Sequence, residues 1–396
     1  MDVEDFEGLE KDEIKKRLLK SVIKSEEEVK KEKAEKKSKS DLKIFLVKST
    51  GLKPDELIDS IYDLLESDDI PYHSYNFLDS HNFKIIDLCE RVYGLIIYTP
   101  EYNKGDHFVI FEERGYWHIW TTARKYWTEK TIENLIDKHP KLERTFISPE
   151  KLESISRVDL RKGLGSKSHF SGFVAKNKPF YSDKQISINM YGGDYDDLEK
   201  VKKEFHAEPT QITISMKNSP TNCVLGHLHG NDGYISLSTI LPDYSDWGWD
   251  IADISSKLFE NSDREIYDIE ESPIEINIGE DGEGYTKFNS YHALILEPKL
   301  KTSQPGIKEI FDRTIEWLLE NKQGYYGYRW DEDSYHILKK ESMDLFQISK
   351  EKENLVLYPF DDCSEKTLKD VCKEIIENIT GDIEPEPYHS KTSIRA

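Results

Sequence analysis

The chain is poor in cysteine and contains no long apolar run. Its 396 residues include four cysteines, at positions 89, 223, 363 and 372, and none forms a Cys-x-x-Cys pair. A disulfide framework and a paired-cysteine zinc finger are therefore not expected. No apolar stretch reaches the ~18 residues that a membrane helix needs, and charged residues begin at Asp2, so we expect no secretory signal. These absences favour a soluble, cytoplasmic protein that does not bind membranes.

Several catalytic motifs are also missing. The sequence has no Gly-x-Ser-x-Gly, no His-Glu-x-x-His, and no Gly-x-Gly-x-x-Gly placed after a strand-like run. A serine nucleophile elbow, a zincin site and a dinucleotide-binding turn are therefore not expected. Enzymes exist without these motifs, so the sequence leaves open whether the protein is an enzyme, and no cofactor is expected from it.

Positive charge is in deficit, since 77 acidic residues against 55 lysines and arginines give a net charge of −22. A surface this negative repels nucleic acid and anionic membrane overall, so any contact with phosphate must use a local basic patch. Hydrophobic residues make up 37% of the chain, which is enough to fill ordinary cores. The length favours roughly two to four domains.

Alternating strand-like and helix-like runs predict an α+β protein built from tandem small units. Each unit reads as strand, helix, antiparallel strands and helix, with the helices on one face of an antiparallel sheet. That order is similar to the order in TATA-binding-protein-like and ferredoxin-like domains, a likeness of fold alone. The predicted segments are an N-terminal helix and charged linker at 1–40, α+β units at 41–156, 181–275 and 276–382, a basic glycine-rich connector at 157–180, and a disordered tail at 383–396. Residues 72–78 are predicted as a strand.

The N-terminal segment carries an amphipathic helix. Its apolar residues recur at helical spacing, on Ile14, Leu18, Leu19, Val22 and Ile23. The helix has no neighbour in the adjoining sequence, because a run of charged residues follows it. We expect it either to fold back onto the body of the protein or to dock on a protein partner.

Residues 160–180 form a basic stretch in an acidic chain. It is not a Walker A loop, because Ser166 precedes Lys167 where the motif requires glycine. One interpretation is a connector between domains, made flexible by its glycines. The other is an anion site in which cations neutralise phosphates and aromatic rings stack on unpaired bases. The residues predicted to bind nucleic acid are Arg157, Arg161, Lys162, Lys167, Lys176, Lys178, Phe170 and Phe173. On this interpretation the protein is a binding or adaptor protein that contacts nucleic acid or a partner that handles it.

A second stretch, at 222–234, suggests a metal. His227 and His229 alternate on a predicted strand and share one face with Cys223, so they offer nitrogen and sulfur ligands to a divalent ion such as zinc. The His-x-His pair followed by an acid is similar to the opening of the metallo-β-lactamase motif, from which the chain departs at Asn231 and Asp232. This alternative is a metal-dependent hydrolase acting on phosphoesters, in which Asp232 or Cys223 completes the ligand set. The interpretation that the pattern favours over a metal site is that Gly-Asn-Asp-Gly forms a hairpin loop and the histidines are ordinary strand residues.

Overall fold

The structure is a computed structural model, and it shows an α+β fold of helices and antiparallel sheets. This confirms the predicted fold class. It describes residues 2–25, 27–28, 41–67, 70, 72–159, 168–177, 186–216, 224–230, 232–238, 240, 245–267, 271–277, 285–291, 294–298, 306–320, 324–342, 344–352, 354–360, 363–379 and 383–387. No helix in this part of the chain is both long enough and apolar enough to cross a membrane.

The helices and strands are numbered in chain order. The α-helices are α1 Lys11–Lys20, α2 Leu57–Glu66, α3 Tyr72–Ser80, α4 Lys125–Lys130, α5 Ile132–Lys138, α6 Pro149–Ser154, α7 Tyr195–Phe205, α8 Ser245–Tyr267, α9 Ile307–Glu320 and α10 Glu365–Asn378. The strands are β1 Leu42–Ser49, β2 Asn82–Cys89, β3 Val92–Thr99, β4 Lys104–Glu113, β5 Tyr116–Thr121, β6 Leu142–Arg144, β7 Ser168–Asn177, β8 Ser187–Tyr191, β9 Ala207–Met216, β10 Val224–His229, β11 Tyr234–Leu237, β12 Glu271–Asn277, β13 Tyr285–Tyr291, β14 Leu294–Pro298, β15 Tyr325–Asp331, β16 Ser334–Lys339, β17 Leu345–Glu351, β18 Asn354–Pro359 and β19 Ile383–Pro387.

The chain divides into two compact units, where the sequence pattern predicts three. Unit 1 comprises Met1–Lys176 with Ile186–Ser262, and unit 2 comprises Asn177–Gln185 with Asp263–Ala396. The strands predicted for 41–156 and for 181–275 belong to one sheet of eleven strands, because β1 pairs with β11 as well as with β5. This pairing between distant segments makes them a single unit.

The sheet of unit 1 carries helices on both faces. Strand β1 shows this by alternation, since neighbouring side chains on a strand point to opposite faces. Ile44 belongs to a buried cluster with α1, α7 and α8, whereas Phe45 belongs to a second cluster with α2, α3 and α5. The sheet is therefore buried on both sides, and β1 has no exposed hydrophobic residue.

The amphipathic helix at the N-terminus packs against unit 1. Ile14, Leu18 and Leu19 of α1 are at most 2% exposed and lie in the same cluster as β1 and α8. Residue Ile23 then forms a parallel bridge with Ile240. The apolar face of α1 is therefore covered by its own chain, so the predicted docking of this face on a protein partner is not supported.

Unit 2 contains a six-stranded sheet in the order β15-β16-β17-β18-β14-β19, and a separate ladder of β12 with β13. Helices α9 and α10 supply buried apolar residues, among them Phe311 and Val371. Ile383–Pro387, predicted as the start of a disordered tail, forms β19 and pairs with β14. Tyr72–Ser80, predicted as a strand, forms the helix α3, whose Phe77 and Leu78 pack on the second cluster of unit 1.

Candidate ligand-binding pocket

The predicted basic site at 157–178 is only partly described. Arg161, Lys162, Lys167 and Lys178 lie outside the described residues. Arg157 is held by Glu153 and Glu199, with nitrogen to oxygen distances of 2.7 and 3.0 Å, and its guanidinium lies 4.3 Å from the centre of the Tyr195 ring. Its charge is therefore neutralised within the protein. Lys176 is exposed.

The two aromatic residues of the predicted basic site are buried. Phe170 is 9% exposed and Phe173 is 2% exposed, and both belong to the apolar cluster that includes α1. The Phe170 ring stacks on Tyr195 with 4.3 Å between ring centres. Burial leaves neither ring a free face for a nucleobase, contrary to the prediction. Binding of nucleic acid by this segment stays a prediction that rests on its lysines and arginines.

The histidines of the predicted metal site lie on β10. Their ring centres are 6.3 Å apart. His229 stacks on Tyr234 with 3.9 Å between ring centres, and burial lowers the pKa of His229 to about 3, with the nearby His227 adding to the effect. The ring is therefore neutral at physiological pH. The Nδ1 atom of His227 lies 3.0 Å from the Gln211 amide nitrogen.

The other predicted ligands do not complete a metal site among the described residues. Asp232 is exposed in the turn after β10, and Cys223 lies outside the described residues. β10 and β11 pair antiparallel, with His229 opposite Tyr234, which confirms the predicted hairpin at 230–233. Within the described ranges, no group with metal-ligand spacing contains either histidine. The metal-dependent hydrolase stays a prediction.

One group in the described part of the chain does have that spacing. Its members are Glu113, His118 and Glu260, whose ligand atoms lie within 4.8 Å of one another. His118 Nε2 is hydrogen-bonded to Glu260 Oε1. The Lys11 ammonium lies 2.7 Å from Glu113, with Lys15 at 3.9 Å. Two lysines thus supply the positive charge that a divalent cation would supply, so the group is best described as a partly buried ion-pair network joining α1, β4, β5 and α8.

A pocket of about 390 Å³ opens where β4 begins and β5 ends. This volume is within the range of small-molecule sites. The lining residues are Lys104, Gly105, Asp106, His107, Thr122, Ala123, Arg124 and Trp127. β4 supplies the first four, the loop after β5 the next three, and α4 supplies Trp127.

Buried polar residues hold the loop after β5 in place. Thr121 is fully buried, and its hydroxyl donates to the His107 carbonyl and accepts from the Ala123 amide, each over 3.0 Å. Lys43, on β1, donates to the Ala123 carbonyl over 2.5 Å. Burial lowers the pKa of Lys43. These bonds give the loop one conformation and fix where Arg124 leaves the backbone.

Asp106 is the buried acid of the pocket and is 5% exposed. Its Oδ1 accepts a hydrogen bond of 2.6 Å from Lys104, whereas its Oδ2 is shielded from solvent and has no hydrogen-bond partner among the described residues. A buried oxygen without a partner costs about 1–3 kcal/mol. Lys104 itself is 36% exposed, and its ammonium lies 3.7 Å from the centre of the Trp127 ring.

The pocket carries more positive than negative charge. Arg124 is exposed and makes no ion pair with any residue that the structure describes, and Lys104 adds a second cation against the one carboxylate of Asp106. His107 accepts a hydrogen bond of 3.3 Å at Nδ1 from the Val3 amide. Nδ1 also lies 3.5 Å from the Asp2 carboxylate, and in the tautomer that accepts from Val3 the ring presents Nε2–H as a donor.

Trp127 lines the pocket and is packed against two tyrosines that lie outside it. The Trp127 ring meets the edges of Tyr102 and Tyr126 with ring centres 5.2 and 5.0 Å apart. Lys130 donates to the Tyr102 hydroxyl over 2.6 Å and lies over both tyrosine rings. Hydrogen bonds to the two tyrosines raise the pKa of Lys130, so it stays charged. Trp127 is thus held in place by two tyrosine rings that carry the Lys130 ammonium.

No family model and no curated protein sequence matches the chain. The function must therefore be argued from the site alone.

Sequence reasoning did not bring this pocket together. Its residues come from 104–107 and 122–127, and neither segment carries a named motif. The available signal was the run Thr-Thr-Ala-Arg-Lys-Tyr-Trp at 121–127, in which basic and aromatic residues follow a strand directly. Only the pairing of β4 with β5 places Asp106 beside that run.

Proposed function

We propose that unit 1 binds a small anionic metabolite that carries a hydroxyl group near its anion, such as a sugar phosphate. The observation that carries this proposal is the Asp106 carboxylate, buried in a pocket with a net positive charge and with one oxygen lacking a partner. A ligand hydroxyl can supply the missing hydrogen bond, which a bare anion cannot. Unpaired Arg124 supports an anionic ligand because a guanidinium binds phosphate through two parallel hydrogen bonds.

Five of the eight lining residues have a distinct role in this proposal. Arg124 and Lys104 pair with the anion, and His107 Nε2–H adds a neutral donor. A hydroxyl reaches the Asp106 carboxylate when Lys104 swings from Oδ1 towards the anion, a movement that its partial exposure allows. Leaving Asp106 also frees the face of Trp127, against which an apolar ring face of the ligand packs.

The test is isothermal titration calorimetry of the full chain with three probes: ribose 5-phosphate, ribose and inorganic phosphate. We expect ribose 5-phosphate to bind more tightly than either of its parts. Arg124→Gln removes a charge-assisted pair, so the affinity for ribose 5-phosphate should fall roughly ten- to hundredfold. Asp106→Asn removes the acceptor for the ligand hydroxyl and also frees Lys104 for the anion, so it should reduce the preference for ribose 5-phosphate over inorganic phosphate.

The matched control is Arg114→Gln, since Arg114 is an exposed arginine of the same unit outside the pocket. It should bind all three probes as the parent chain does. Equal affinity of the parent chain and Arg124→Gln for ribose 5-phosphate would overturn the proposal, as would the absence of binding at millimolar probe.

A further inference from the structure

The sheet of unit 2 leaves an aromatic face exposed. We define the aromatic face as the side chains of Tyr326, Tyr328, Trp330, His336 and Phe360. Tyr326, Tyr328 and Trp330 are 62%, 57% and 63% exposed, and all three lie on β15, the edge strand of the sheet. Large rings exposed together on one surface are typical of a binding site and not of an ordinary solvated strand.

Both helices of unit 2 lie against the opposite face of this sheet. Strand alternation places Tyr325 and Tyr335 on that second face. Tyr325 donates to Glu374 of α10 over 3.1 Å, and the Tyr335 ring meets Phe311 of α9 with 6.0 Å between ring centres. The helices thus complete the core of the unit without covering the aromatic face.

His336 holds the rings of the aromatic face in fixed positions. Trp330 stacks on it with an interplanar angle of 10° and ring centres 4.7 Å apart, and Phe360 meets it edge-on. Its two ring nitrogens lie 2.8 Å from the Tyr328 hydroxyl and 3.2 Å from the Gln347 carbonyl oxygen. Rings fixed before binding lose little conformational entropy when a partner arrives.

The aromatic face already holds one ammonium group. The Lys340 Nζ lies 3.7 Å from the centre of the Tyr326 ring, which is the geometry of a cation–π contact. Ring faces are the negative part of the aromatic quadrupole, so further exposed rings on the same strand can hold further cations. Lys340 comes from the same sheet and leaves Tyr328 and Trp330 without such a cation among the described residues.

Acidic residues border the aromatic face at the end of β15. Asp331 and Glu332 are exposed in the turn that follows Trp330. Hydrogen bonds from Ser334 and from the Asp333 amide lower the pKa of Asp331, so this carboxylate is charged. The Arg329 guanidinium is bonded to the backbone carbonyls of Asp331 and Glu332 over 2.9 Å. Asp331 already accepts the Asp333 amide and lies near the Arg329 charge, whereas Glu332 makes no ion pair within the described ranges and is the more available of the two to an incoming cation.

We propose that the aromatic face docks a lysine- or arginine-bearing segment of a partner protein. Its cations lie over Tyr328 and Trp330, and the carboxylates of Asp331 and Glu332 pair with the cation at the end of β15. The same carboxylates repel phosphate, so the charge at this surface disfavours nucleic acid even though its rings could stack on bases. This proposal uses unit 2 only and does not depend on the pocket of unit 1.

The test is fluorescence anisotropy of the full chain with a labelled nine-residue peptide of alternating lysine and glycine. Any polycation is attracted to a chain of charge −22, so the informative variants leave the charge unchanged. Trp330→Leu and Tyr328→Leu keep an apolar side chain and remove the ring. We expect each variant to lower the affinity for the peptide about two- to five-fold, which is the fold-change of an exposed cation–π contact. Trp330→Phe, which keeps a ring, should retain most of the affinity.

The matched control is Tyr62→Leu, because Tyr62 is 63% exposed on α2 of unit 1. It should bind the peptide as the parent chain does. Lys340→Met provides a second test, because it frees the Tyr326 ring for the peptide. It should strengthen peptide binding more than Lys352→Met, which removes the same charge without freeing a ring. Equal affinities of Trp330→Leu, Tyr62→Leu and the parent chain would overturn the proposal. It would also be overturned if a nine-residue oligothymidylate bound more tightly than the peptide and lost affinity in Trp330→Leu.

Discussion

Glu374 is a carboxyl group buried beneath the sheet of unit 2. Its Oε1 accepts a hydrogen bond from Tyr325, while its Oε2 has no partner in the described part of the chain. Burial raises the pKa of Glu374 to about 7, opposed by the Tyr325 hydrogen bond and the charge of Lys339. The negative charges of Asp370 and Glu377 act with burial. The folded chain therefore keeps a proton on Glu374 under conditions where the unfolded chain has lost it.

The raised pKa of Glu374 predicts how the stability of unit 2 depends on pH. The ordinary pKa of a glutamate is 4.5, so between pH 4.5 and 7 the folded state binds more protons than the unfolded state. The free energy of unfolding then falls as pH rises through this range. Glu374→Gln removes the titration, and we expect a higher Tm than the parent chain at pH 8 and a smaller difference at pH 4.5.

Calorimetric melts at pH 4.5, 6 and 8 measure this effect. Glu309→Gln, at an exposed position on α9, is the control and should follow the parent chain at every pH. If Glu374→Gln lowered the Tm at pH 8 relative to the parent chain but not at pH 4.5, the folded state would favour the ionised carboxylate, and the assignment of a raised pKa would be wrong.

Gly233 shows what the sequence can reveal about a single residue. The Gly-Asn-Asp-Gly run predicts a hairpin, and the structure confirms it with Gly233 at a φ of 60°. The run does not reveal that a Cβ at this position would lie 2.2 Å from the Thr145 carbonyl oxygen. That neighbour comes from a segment far away in sequence.

Gly233→Ala should therefore destabilise unit 1 by at least about 1 kcal/mol, because alanine meets both an unfavourable φ and a backbone oxygen. Chemical denaturation followed by circular dichroism measures the change. Gly51→Ala is the matched control, since Gly51 has a φ of 64° and open space around it. A similar loss in both variants would show that the φ angle alone matters.

The sequence pattern predicts some helices and strands correctly and misses others. Strands β15 to β18 and helices α9 and α10 follow from alternating and helical spacing, because each buries one face against neighbours close in the chain. Residues Tyr72–Ser80 form α3 although their aromatic content favours a strand, since Phe77 and Leu78 pack on the sheet of unit 1. The burial of Phe170 and Phe173 depends on the position of β7 in the sheet, which local glycines and lysines do not indicate.

Helix α1 contributes to the stability of unit 1 through its buried leucines. Leu18 is 1% exposed against the sheet, so Leu18→Ala should lower the free energy of unfolding by about 2–5 kcal/mol. Lys16→Ala, at an exposed position on the same helix, should change it by less than about 0.5 kcal/mol. Urea titrations of both variants make the comparison. Equal stability of Leu18→Ala and Lys16→Ala would mean that α1 does not pack on unit 1 in solution.

The net charge of the chain governs its behaviour in solution, but it does not indicate the pocket. A net charge of −22 gives no hint of a cationic site, because Lys104 and Arg124 are two among 55 basic residues. The pocket and the aromatic face are both assembled by strand pairing, which composition does not report.

The same net charge predicts association on acidification. The isoelectric point calculated from the sequence is near pH 5.1. Self-repulsion disappears as pH approaches that value, so light scattering at constant protein concentration should rise between pH 7 and 5 and fall again below pH 4. Added salt should reduce the difference between pH 7 and pH 5 by screening. Scattering that stays flat across this range would contradict the prediction.

The central position of β1 has a consequence for synthesis on the ribosome. One edge of this early strand pairs with β5, and the other is shared by β6 beside Val47–Ser49 and by β11 beside Leu42–Phe45. At ordinary rates of translation, roughly ten to forty seconds separate Leu42 from its partner Leu237. Throughout that interval the part of the β1 edge at Leu42–Phe45 has no partner strand, so it is open to pairing with a nascent chain on the same messenger RNA. We therefore expect slow or stalled translation between β6 and β11 to increase aggregation of the nascent chain.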